Sequence, residues 1–100
     1  MDRRLELHQK LINIVGRAYF QPPESVKLEY PCAIYNLTDI DISHADDQIY
    51  RNKRGYSVMI IDRNPDSNYL EDMMTSFQYV RFDRFYVVDN LNHFVFRVYF

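Results

Sequence analysis

Asp39, Asp41, His44, Asp46 and Asp47 form the one grouping in this chain whose residue types could hold a metal ion. Their spacing argues against the commonest hard-cation loop. A calcium loop beginning at Asp39 would need glycine at its sixth place and a bidentate glutamate at its twelfth, where His44 and Tyr50 stand. A loop beginning at Asp62 meets Ser67 and Met73 at the same places. A two-metal nuclease would carry its carboxylates on rigid strands, whereas these five residues fall in the least apolar part of the chain. Cys32 lies inside an apolar run, the setting of a small buried hydrophobe rather than a thiolate nucleophile. His8 falls on a helical stripe and reads as a packing residue, and His93 beside a turn reads as facing solvent or a partner. Met73 and Met74 read as helix core. Gly16 and Gly55 are too far apart to cradle a phosphate. The expectation is a chain with no catalytic residue, no metal and no cofactor.

A different chemistry is suggested by Arg51, Lys53 and Arg54, which follow the aspartates within one polar stretch. Acids fill its first half and bases its second, a pattern suited to contacts between neighbouring copies, one subunit's Asp39, Asp41, Asp46 and Asp47 meeting the next one's cations. The final twenty residues, RFDRFYVVDNLNHFVFRVYF, read as a β-hairpin. With its turn centred on Asn90-Leu91, Phe85, Val87, Phe94, Phe96, Val98 and Phe100 share a core face. Phe82, Arg84, Tyr86, Val88, His93, Val95, Arg97 and Tyr99 share the other. That second face is too aromatic for plain solvent and too charged for a core, so Arg84, Tyr86, Arg97 and Tyr99 are expected at an interface.

The elements that must position these residues follow from periodicity. Leu5, His8, Leu11, Ile12, Val15, Ala18 and Tyr19 predict a helix over 2–19, stopped by Gln21-Pro22-Pro23. Pro31 opens a strand, Cys32 to Leu37. Tyr56 to Ile61 is apolar on both faces and therefore central. Asp66 or Ser67 is placed to cap a short second helix, 67–77, before the hairpin. The predicted fold class is α+β, a single domain over 1–100. It has a four-stranded, mainly antiparallel sheet, with an N-terminal helix and a second short helix on one face.

Composition bounds the partners. The 100 residues carry nine Tyr and seven Phe, no Trp, one Cys and a formal net charge of −2. That balance gives no bulk attraction to nucleic acid or to an anionic membrane. No apolar run approaches the ~20 residues of a membrane span, and MDRRLELHQK lacks the apolar stretch of a secretory signal. A lone cysteine fits a reducing cytoplasm.

The segments YPCAIYNL, DQIYRNKRGYSVMIIDRNPDS and FDRFYVVDNLNHFVFRVYF together resemble the tail-completion, or tail-terminator, proteins of long-tailed bacteriophages. The resemblance spans about Tyr30 to Phe100. It implies a structural virion protein located at the tail–head interface and assembled in the host cytoplasm. It further implies a ring of identical copies, typically a hexamer, that binds the tail-tube protein, ends tube polymerisation and joins the tail to the head-side connector. DNA would pass through such a ring without specific recognition. Two other readings are a connector or stopper protein of the neck, and a small metal-dependent nuclease using the Asp39–Asp47 cluster. A ligand-binding module, which would need a deep pocket, is a further one.

Overall fold

A computed structural model describes residues 3–39 and 53–100. Along the chain come α1 (Arg3–Val15), β1 (Ala18–Phe20), β2 (Cys32–Asp39), β3 (Gly55–Asp62), α2 (Tyr69–Ser76), β4 (Val80–Val88) and β5 (Leu91–Tyr99). The α+β class holds. The sheet, however, has five strands and is mixed, in the order β1-β2-β3-β5-β4, with β1 parallel to β2 and the other pairs antiparallel.

The added strand comes at the expense of the first helix. α1 ends at Val15 because Gly16 takes a φ of 103°, and its N–H donates to the Ile12 carbonyl at 2.8 Å. Ala18, Tyr19 and Phe20 then pair with Ala33, Ile34 and Tyr35 instead of continuing the helix to residue 19. Pro22 and Pro23, which lack N–H donors, stop this strand rather than the helix. Gln21 closes the break. Its N–H donates to the Tyr35 carbonyl at 2.9 Å and its Oε1 accepts from the Leu37 N–H at 3.1 Å. α2 is likewise shorter than 67–77. Asn68 stands at its N-cap and no side chain caps it, so neither Asp66 nor Ser67 plays that part.

Both helices pack on one face of the sheet. Leu7, Leu11 and Val15, one turn apart on α1, meet Met73 and Phe77 of the α2 region over Ala33, Tyr35, Tyr56, Val58, Ile60, Phe94, Phe96 and Val98. Leu5, half-exposed, is off this stripe, and Met74 is exposed where Met73 is fully buried. β3 occupies the centre, as its two-sided apolar pattern requires. Pro31 directly precedes β2.

The hairpin is real, but it turns at Asp89-Asn90, both with positive φ (55° and 63°), because Val88 pairs with Leu91. A register shift between Phe82 and Arg84 leaves Asp83 as an extra residue. Phe82 therefore lies opposite Phe96, ring centroids 5.5 Å apart, on the helix-side face and not the outer one.

Candidate functional site

Among the described residues, His8, Cys32 and Tyr69 are each shifted toward the neutral form. Cys32 is fully buried in β2, and desolvation pushes its thiol up to about 11, leaving it protonated at neutral pH. Tyr35, also fully buried, presents its hydroxyl to α1, where His8 Nδ1 lies 2.7 Å away and Arg4 donates at 3.3 Å. Arg4 donates to the phenol oxygen, and the direction of the His8–Tyr35 bond follows the histidine tautomer. Partial burial, and secondarily Arg4, hold His8 below its ordinary pKa, which favours the neutral ring. His8 also packs edge-on against Tyr35, ring centroids 5.6 Å apart. The Tyr69 hydroxyl is raised by desolvation and by the carboxylates of Asp62 and Asp72, which keeps it neutral as well. Among the described residues no group of three His, Cys, Asp or Glu side chains converges as metal ligands.

Four of the interface residues expected from sequence lie on the face of β4 and β5 turned away from the helices. Arg84 is exposed, with its guanidinium 5.8 Å from the ring centre of Tyr86. Tyr86 stacks on its cross-strand partner His93, centroids 4.6 Å apart and planes 9° from parallel, and its hydroxyl points to Met59 Sδ at 3.7 Å. His93 is thus half-buried beneath a tyrosine, its Nδ1 3.0 Å from the Leu91 carbonyl. Arg97 and Tyr99 follow on β5, both half-buried. The grouping is an aromatic-basic surface, as its spacing in sequence implies.

The charge blocks are only partly visible. Asp41, Asp46, Asp47 and Arg51 lie outside the described residues. Asp39 ends β2 opposite Gly55, the preceding bulge being tied by Thr38 Oγ1 to the Gly55 carbonyl at 2.9 Å. Arg54 exchanges two backbone hydrogen bonds with Phe100 and exposes its side chain, while Lys53 Nζ lies over the Tyr79 ring at 5.3 Å.

The sheet also presents an exposed strip, two of whose residues, Phe85 and Val87, sequence periodicity assigned to the core. Phe82, Phe85 and Val87 lie on the helix-side face of β4, yet they are 37%, 46% and 55% exposed. Neither helix reaches far enough to cover them. On α2, Leu70 and Met74 are exposed as well. The outer edge of β4 pairs with no described strand. Long unpaired edges and exposed apolar strips are, in general, features through which sheets take up another polypeptide, and β4 combines the two. The signal was present in sequence as an excess of hairpin aromatics over what two short helices can cover.

The chain matches no known family model, no curated protein and no solved structure.

Proposed function

We propose that the protein is a structural ring component of a phage tail. Copies join through the β4 edge and its flanking strip, cap the tail tube, end its polymerisation and present a new surface to the head connector. The observation that carries this reading is the nine-residue β4, whose outer edge pairs with no described strand, with Phe82, Phe85 and Val87 exposed on it. A head-to-tail contact made by one edge and completed by a different surface of the next copy closes into a ring when the rotation permits. The aromatic-basic face at Arg84, Tyr86, Arg97 and Tyr99 is left to meet the tube or the connector. A terminator works because it consumes the open end of the tube without regenerating it.

The test is a double substitution, Phe85→Asp with Val87→Asp. Both side chains are about half-exposed, so the fold should change in stability by no more than roughly 0.5–1 kcal/mol. Sedimentation with tail tubes should show the wild type assembled on them and the variant free. Assembly of the folded variant at wild-type level would remove β4 from the interface. Attachment to the portal side instead of the tube would assign the protein to the neck connector.

A further inference from the structure

Where the start of α1, the segment before β3, the exit of α2 and the last residues of β5 meet, a cleft of about 230 Å³ opens. Among the described residues three cations line it, Arg3, Lys10 and Lys53, and no Asp or Glu side chain does. Each cation rests on a ring instead of a carboxylate. Arg3 lies 4.7 Å from the Phe100 centroid, Lys10 5.4 Å from Phe77, and Lys53 5.3 Å from Tyr79. Lys10 also donates to the Ser76 carbonyl at 3.2 Å. Among the described residues Arg17 and Glu29 form the sole ion pair, so none of the three has a carboxylate within 4 Å. A neighbouring depression shares Gln78, Tyr79 and Tyr99 and adds Arg81, extending the positive lining.

Three like charges around one opening repel one another, and the rings offset this only in part. An anion entering the cleft gains from all three. In a chain whose acidic side chains outnumber its basic ones, 14 to 12, a described lining with three cationic and no acidic side chains is a local departure. The ring faces bear on which anion it is. Phe77, Tyr79 and Phe100 already have cations over them, so they offer no open platform for stacking nucleobases. Carboxylates need no such platform. The chain itself carries a matching segment, Asp39 to Asp47, with four aspartates in nine residues and no Lys or Arg among them.

We infer that the Arg3–Lys10–Lys53 cleft receives the Asp39–Asp47 segment of a neighbouring copy, the acidic half of one subunit entering the basic half of the next. The inference rests on the ring reading and gives it a second, electrostatic contact apart from the β4 edge. Such pairing sets which copies join and in what register more than it sets raw affinity, and it weakens with salt.

The probe is a labelled peptide of residues 38–48, titrated into the full chain bearing Asp39→Asn, Asp41→Asn, Asp46→Asn and Asp47→Asn, so that no native acidic segment competes. Saturable, salt-sensitive binding is expected, about tenfold weaker once Lys10→Gln and Lys53→Gln are added, and lost when the peptide's own aspartates become asparagines. If that double variant does not fold, Arg3→Gln serves the same comparison. Absence of binding, equal binding of the asparagine peptide, or tighter binding of single-stranded DNA would overturn the assignment. Carbodiimide cross-linking in a mixture of isotopically labelled and unlabelled wild-type chains reports the partner. Cross-links between Asp39–Asp47 and Lys10 or Lys53 should join different copies, and links confined to single chains would overturn docking between subunits. Tube capping is scored separately. Peptide binding without capping keeps the cleft and discards the ring, and capping without peptide binding does the reverse.

Discussion

At the scale of single residues, the polar groups that look reactive are tied into packing. Tyr35→Phe removes a hydroxyl that accepts from Arg4 and is hydrogen-bonded to His8 Nδ1, both part-buried. A loss of about 1 kcal/mol is expected, read as a lower urea midpoint. His8 adds a pH dependence. Its folded-state pKa lies below the unfolded value of about 6.5, so the unfolded chain binds the extra proton more readily. Its contribution to stability is complete above that value and is lost as the pH falls through the folded-state pKa. The thermal midpoint should therefore decline on acidification from about pH 7 to about pH 5, and His8→Gln should flatten that part of the curve. A wild-type midpoint that rises over this interval would contradict the neutral His8 ring. Sequence placed His8 and Cys32 correctly inside the fold, since both sit in strongly periodic or apolar runs. It could not show that His8 serves the hydroxyl of Tyr35, because a contact across 27 positions leaves no local pattern. Lys53 was singled out from sequence as an interface cation, but its meeting with Arg3 and Lys10 of α1 went unseen for the same reason.

At the scale of elements, the departures from sequence expectation trace to backbone conformations that side-chain periodicity does not report. Val15, Ala18 and Tyr19 continue a helical spacing and so hid β1, although Gly16 just after Val15 is itself a helix-stop signal. No heavy atom lies within 4 Å of where a Gly16 Cβ would stand, so the requirement is conformational. Gly16→Ala should then cost about 1 kcal/mol or more through its φ alone, without disturbing neighbours, as measured by denaturant unfolding. The hairpin was legible as two aromatic runs about an Asp-Asn turn, but the extra residue at Asp83 was not, and that single shift carried Phe82 to the other face. Asn90 has a φ of 63° in the second position of the two-residue turn, where glycine is at ease. Asn90→Gly should leave stability unchanged or raise it, and Asn90→Val should lower it by roughly 1–3 kcal/mol.

At the scale of the whole molecule, the sheet is finished on one side and open on the other. The core takes in Val80 at the start of β4 but leaves Phe82, Phe85 and Val87 farther along that strand exposed. In the proposed ring, another copy would cover that strip and the Arg3–Lys10–Lys53 cleft would supply a charge-selective second contact. Electron microscopy of tail tubes polymerised from the tube protein of the same phage, with and without this chain, tests the central claim most directly. The account predicts a single ring of this protein at one end of each tube and tubes that cease to lengthen once it is bound. Tubes that keep growing, with the protein absent from their ends, would contradict it.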